Sequence, residues 1–153
     1  MRSNHLTHVR PKLPVLSRGR PGEKKVRRMF ELTQEQRLIV DAAAAFTDDR
    51  MRPNAEHWDQ NHILDRDVLA ELCALGFGGV YTSEEHGGSG LGRLEAALIF
   101  EQLSKGCIGH ATFLTIHNMA AWLVDRFGSS DLRERFVGSM VRGEMITSYC
   151  LAE

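Results

Sequence analysis

Four groups of residues in this 153-residue chain have types that could do chemistry. The glycine-rich stretch His86-Gly87-Gly88-Ser89-Gly90-Leu91-Gly92 invites a phosphate-binding role. A phosphate loop needs a Gly-Lys-Ser/Thr ending or Gly-x-Gly-x-x-Gly spacing so that backbone amides converge on the anion. Neither is present, and the stretch is expected to be a tight connector. Seven histidines suggest metal. However, His57 and His62 are five apart, His110 and His117 seven apart, and none makes a His-x-x-x-His pair beside a carboxylate. Surface or supporting histidines and no metal are the expectation. Glu84, Glu85, Glu95 and Glu101 offer carboxylates without an isolated acid–base pair. Glu101 lies in an apolar stripe, where burial would shift it, but pairing with Arg93 or with Lys105 at i+4 is preferred. Cys73, Cys107 and Cys150 are odd in number and lack Cys-x-x-Cys spacing. Buried reduced thiols are expected in place of a disulfide framework or zinc site. Gly-x-Ser-x-Gly is absent, and no Ser-His-Asp or Cys-His set is proposed.

The elements that must position these residues read as helices. Thr33 and Gln36 form a capping box ahead of Leu38, Ile39, Ala42, Ala43 and Phe46, a stripe at i, i+3 and i+4 spacing. That helix continues or restarts near Pro53 toward Trp58. A second opens at Asp65, carries Val68, Leu69 and Leu72, and ends at Gly76. Phe77-Gly78-Gly79-Val80-Tyr81 is expected to be short and extended. A third helix runs from about Arg93 to Lys105 with Leu94, Ala97, Leu98 and Leu103 inward. The fourth spans about Ala111 to Phe127 and is apolar on nearly every side, which suits the middle of an assembly. Gly128 ends it, and Ser130 or Asp131 caps a fifth carrying Leu132, Phe136, Val137 and Met140. Ile146-Thr147-Ser148-Tyr149-Cys150-Leu151 has strand composition. The expected class is all-α, an up-and-down bundle-like domain with the start of a β-strand at its C-terminal end.

Charge divides the chain. Residues 1–28 hold nine Lys/Arg against the single acid Glu23, so they carry +8, and the rest carries −9. The whole-chain charge of −1 describes neither part. Residues 1–28 contain Pro11, Pro14 and Pro21 and no helical stripe, and are expected to be a disordered basic extension. A transit peptide and a nucleic-acid-binding arm are the alternatives; Pro content argues against the first and the lack of interleaved aromatics against the second. The division is then 1–28 extension, 29–145 helical domain and 146–153 first strand of a further β-domain. No run of about 18 apolar residues occurs, so no membrane span is expected. Composition, periodicity and motifs by themselves reach a helical domain and no activity.

Several segments together resemble the acyl-CoA dehydrogenase family. They are Leu32-Thr33-Gln34-Glu35-Gln36, Leu75-Gly76-Phe77-Gly78-Gly79-Val80-Tyr81, Gly87-Gly88-Ser89-Gly90-Leu91, Phe100-Glu101-Gln102-Leu103, Phe127-Gly128 and Ser148-Tyr149-Cys150-Leu151-Ala152-Glu153. The resemblance covers about residues 30–153, and Ile116-His117-Asn118-Met119-Ala120-Ala121-Trp122 is most similar to the branch that handles branched acyl-CoA. It implies the N-terminal helical domain of a FAD-dependent α,β-dehydrogenase, ending as it enters the flavin site. It further implies acyl-CoA as substrate, electron-transfer flavoprotein as partner and a homotetramer, with no nucleic acid or membrane. A bacterial member would be cytoplasmic and a eukaryotic one mitochondrial.

On the resemblance, Tyr149, Cys150, Leu151, Ala152 and Glu153 border the flavin, with Ala152 where the family usually has Thr. Ala111, Thr115 and Met119, at i, i+4 and i+8, meet the acyl chain or, equally, are ordinary core. No catalytic residue is carried over, because the family's glutamate base belongs to a C-terminal domain. FAD is accordingly not expected to stay on residues 1–153 alone. Two alternatives stay open: another flavin enzyme of the superfamily, such as an acyl-CoA oxidase, and a non-catalytic helical interaction module.

Overall fold

The structure, a computed structural model, describes residues 31–150. The basic extension at 1–28 and the flavin-facing expectations on Leu151, Ala152 and Glu153 lie outside the described residues.

Helix α1, Gln34–Phe46, starts at the expected capping box. The Thr33 hydroxyl accepts from the Gln36 amide (3.1 Å), and the Gln36 side-chain oxygen accepts from the Thr33 amide (3.0 Å). The same Gln36 side chain donates to Glu95 Oε1 (2.8 Å), so the cap also ties α1 to the helix carrying Glu95. The inward face is Ile39, Ala43 and Phe46, whereas Leu38 stays 62% exposed. Pro53 cannot donate to a helical ladder. The chain accordingly passes through a π turn, Thr47–Met51, and a 3-10 turn, Arg52–Asn54, before α2, Ala55–Asn61, resumes.

Helix α3, Arg66–Ala74, is capped by Asp65, whose carboxylate accepts from the Asp67 and Val68 amides. It ends at Gly76 with φ of +87°, a left-handed stop that suits glycine. The expected extended run after it is instead a 3-10 turn, Phe77–Gly79. The reason is close approach: a Cβ on Gly78 would sit 2.4 Å from the Val141 carbonyl and 2.6 Å from Cys73 Sγ. Two glycines let the turn press onto neighbouring backbone, and a strand there would have no partner.

Helix α4, Arg93–Ser104, and helix α5, Ile108–Phe127, are joined by three residues and pack as neighbours, with α1 on the other side of α4. The buried face of α4 is Ala96, Ile99 and Leu103; Leu94 and Ala97 point outward, a rotation of the expected face. After Gly128, the cap is Ser129, one residue before the expected positions, accepting from the Leu132 amide. Helix α6, Ser130–Leu132, runs through a π turn, Arg133–Val137, into α7, Gly138–Val141.

The core joins Ala43, Met51, Trp58, Leu72, Val80, Ile99, Leu103 and Leu114 from every major helix. The all-α, bundle-like expectation holds. Residues 146–150 carry no regular secondary structure, and no strand forms among the described residues. A strand takes its ladder hydrogen bonds from a neighbour, and none of the described residues supplies one.

Candidate functional site

The glycine-rich stretch spends its amides on its own fold. Ser89, Leu91 and Gly90 donate to the carbonyls of Gly79, Val80 and Thr82 at 2.8–2.9 Å. Gly87 and Gly90 have φ of +86° and +58°. A phosphate would find those donors taken, so the stretch is a connector.

That connector brings together a set the sequence did not propose. Ser83, His86 and Asp125 converge, with Asp125 Oδ1 2.7 Å from His86 Nδ1 and Ser83 Oγ donating to Asp125 at 3.0 Å. Ser83 Oγ also lies 3.0 Å from the same Nδ1. A serine nucleophile needs the ring nitrogen opposite the acid. Here serine and aspartate share one nitrogen, so the cluster fastens the loop to α5. Asp125 is desolvated, which opposes ionisation, but bonds from Ser83 and His86 outweigh this and hold its carboxyl below the usual range.

Two of the five described histidines, His110 and His117, are buried, and they fill the supporting rather than the surface side of the expectation. His110 Nε2 accepts from the Asp65 amide (2.9 Å), which leaves its Nδ1 to carry the proton and face Cys107 Sγ at 3.2 Å. Trp58 lies against the ring, with centroids 4.2 Å apart. His117 Nε2 donates to the Met140 carbonyl (2.9 Å), and its Nδ1 accepts from the Thr147 amide (3.2 Å). Burial lowers the basicity of both rings. Next to His117, Asn118 is fully buried. Its Oδ1 accepts from the Val80 amide (2.6 Å), and its Nδ2 donates to the Phe77 and Leu114 carbonyls (2.8 and 2.9 Å). The sequence carried one overlooked signal for this pair: two adjacent polar residues inside an otherwise apolar helix.

The exposed side of α5 is largely apolar and is interrupted by Thr112 and Arg126. Ile108 is 73% and Phe127 70% exposed, with Met119 and Leu123 between them. The three expected acyl-facing residues do not share an environment. Ala111 is packed in the core, Thr115 is half-buried with its hydroxyl donating to the Thr112 carbonyl, and Met119 is exposed. Four-residue steps drift by about 40° on a helix of 3.6 residues per turn, so the row winds from core to surface.

At the N-terminal end of α5 lies an open groove of about 670 Å³. Trp58, Ile63, Leu64, Ile108 and Phe113 give it an apolar lining; Cys107 and His110 stand in its wall, and Glu56 and Asp59 also line it. It can hold an apolar chain. Cys107 and His110 touch in its wall, but with Nε2 accepting from the Asp65 amide the neutral ring carries its proton on the nitrogen that faces the thiol and does not deprotonate it; among the described residues no group of three or more potential ligands could hold a metal. The three cysteines are free; Cys73 is buried and its thiol pushed up to about 11 by desolvation, but Cys150 is exposed, unlike the expected buried thiol. Glu101 forms the preferred pair with Lys105 (3.3 Å) in solvent.

Tyr149, half-buried, and Cys150 follow Thr147 off the helical body. The amides of Ser148, Tyr149 and Cys150 have no acceptor among the described residues.

The family model described as acyl-CoA dehydrogenase, N-terminal domain, matches residues 33–144. The mitochondrial isobutyryl-CoA dehydrogenase of Dictyostelium discoideum is 43% identical over 122 residues, and that of Bos taurus 39% identical over 122. Each alignment covers 80% of this chain and 29% of the relative, so the chain spans under a third of their length. The solved FAD complex of PigA superposes with a TM-score of 0.72 at 34% identity, over 76% of this chain and 31% of that one.

Proposed function

The chain belongs to the acyl-CoA dehydrogenase family, by its N-terminal domain, and we propose on that premise that it serves FAD-dependent α,β-desaturation of a short, branched acyl-CoA. The observation that carries this is the match of residues 33–144 to that family's N-terminal domain and the 39–43% identity to two isobutyryl-CoA dehydrogenases, with residues 147–150 following in no regular secondary structure and held to α5 at Thr147. Bound FAD would supply hydride acceptance. Tyr149 and Cys150 would hold the edge of its ring by main-chain donation, with Leu151, Ala152 and Glu153 continuing the contact. Thr115, Met119 and, from the core side, Ala111 would shape the wall met by the acyl group. A short acyl chain suits an apolar stripe of this kind, because methyl and methylene groups gain about 0.8 kcal/mol each on burial. None of these side chains is placed to remove an α-proton, and the base is assigned to a part of the protein beyond this chain. Acyl-CoA and electron-transfer flavoprotein are the proposed partners and a homotetramer the proposed assembly. The proposed location is mitochondrial in a eukaryote and cytoplasmic in a bacterium.

A chimera tests this. Residues 33–150 replace the matching segment of the Bos taurus isobutyryl-CoA dehydrogenase. The expected product retains yellow FAD after gel filtration and reduces a dye acceptor faster with isobutyryl-CoA than with straight-chain hexanoyl-CoA. A folded, colourless chimera would refute the flavin assignment, and a preference for hexanoyl-CoA would refute the branched substrate.

A further inference from the structure

The two hydrogen bonds of His117 have partners of opposite and fixed polarity. A carbonyl only accepts, so the nitrogen facing Met140 O must carry a proton. A main-chain amide only donates, so the nitrogen facing Thr147 N must be bare. The two neighbours thereby dictate one neutral tautomer. The Thr147 hydroxyl lies 3.1 Å from the same bare nitrogen and can donate as well. The ring spans α5, the end of α7 and the first residues of the segment that follows.

We propose that His117 is the positioning residue for residues 147–150: its neutral imidazole, protonated at Nε2, brackets the Met140 carbonyl and the Thr147 amide and sets the direction in which Ser148, Tyr149 and Cys150 leave the helical body. What the segment is aimed at rests on the flavin assignment above; the bracket rests on the hydrogen bonds alone.

The surroundings favour the neutral ring. His117 is 2% exposed. Leu69, Leu114, Gly143 and Ile146 line the small space beside it, and Phe113 stacks at 6.5 Å between centroids. The titratable group facing it from α3 is Cys73, a neutral thiol. Past α7, Arg142 and Glu144 pair with each other in solvent (2.8 Å). On α5, Asp125 is engaged by Ser83 and His86, and His110 by Asp65 and Cys107. Among the described residues no carboxylate stands ready to compensate a second proton on the ring. That proton would set N–H against the Thr147 N–H and release the segment.

The test uses the full 153-residue chain labelled with ¹⁵N. Imidazole spectra are expected to show a bare Nδ1 and a protonated Nε2 on His117. As pH falls, protection of the Thr147 amide is expected to drop in step with protonation of His117, while Leu114 and Ala121 stay protected. His117→Leu is expected to speed Thr147 exchange roughly tenfold, the loss of one net hydrogen bond, and His117→Gln to restore part of the protection. A proton on Nδ1, Thr147 exchange indifferent to pH, or loss of protection at Thr147, Leu114 and Ala121 together overturns the proposal. If His117→Leu does not fold, the pH titration of the unmodified chain decides. FAD added at millimolar concentration separates the two assignments. Shifts in the 148–150 amides that vanish in His117→Leu support the inference, and shifts that persist unchanged overturn it. An absence of shifts leaves the bracket to the exchange result, and the flavin assignment falls with a folded, colourless chimera, a result that does not touch the bracket.

Discussion

Replacing Asn118 by Leu asks how much one buried amide holds. Asn118 makes three hydrogen bonds from a site with no solvent access: from the Val80 amide, and to the Phe77 and Leu114 carbonyls. The Leu114 carbonyl keeps its helical partner when the side chain goes. The Val80 amide and the Phe77 carbonyl do not, and both belong to buried residues in a turn. An orphaned buried polar group costs about 1–3 kcal/mol. Two orphans, less about 1 kcal/mol regained from added apolar burial, leave a loss of about 3 kcal/mol. Domains of this size are stable by about 5–15 kcal/mol, so the change is large. At about 4 °C per kcal/mol, the melting temperature is expected to fall by about 12 °C. Helical circular dichroism during thermal and urea unfolding reads both quantities. The urea m-value should not change, because the surface exposed on unfolding is nearly the same. A loss under about 1 kcal/mol would refute the reasoning, since it would mean that the 77–80 turn finds other partners or does not need them.

Thr82 gives the opposite expectation: its hydroxyl is buried with no partner among the described residues, so Thr82→Val should leave stability equal or higher by up to about 1 kcal/mol in urea melts. Gly78→Ala places a methyl 2.4 Å from the Val141 carbonyl and should cost about 1–3 kcal/mol. Gly87→Ala meets nothing within 4 Å and should cost only about 1 kcal/mol for its positive φ; equal losses in the two variants would refute the close-packing account. Burial lowers the pKa of both His110 and His117. Below the unfolded value of about 6.5 the unfolded chain therefore binds more protons than the folded one, and stability should fall as pH drops from about 7 to 5.5. A flat urea midpoint over that range would contradict the buried assignment. FAD added during purification of residues 1–153 is expected to be lost on gel filtration, read as flavin absorbance after denaturation; stoichiometric retention would show that the site needs no further domain.

Much of the fold was legible in the sequence because it is written in local terms. The capping box at Thr33, the Asp65 cap, the Gly76 stop and the 3.6-residue periodicity each depend on neighbours within one or two turns. The same holds for the Glu101–Lys105 pair at i+4. Local order also made the family resemblance visible, because those segments keep their order along the chain. What failed were faces and partners. Periodicity says that α4 has an inward side, but its neighbours α1 and α5 choose Ala96, Ile99 and Leu103 over Leu94 and Ala97. The strand composition of residues 146–150 meets no pairing segment among the described residues, because a strand is a relation between two segments. The contacts of Asn118 with Phe77 and Val80, of His117 with Met140 and Thr147, and of Asp125 with Ser83 and His86 join residues 23 to 42 positions apart. No spacing rule reaches that far. The sequence determined which segments are helices and which family they belong to; only the tertiary structure decided that two adjacent polar residues on α5 would be buried, fully bonded, and set to hold the loop on one side and the departing chain on the other.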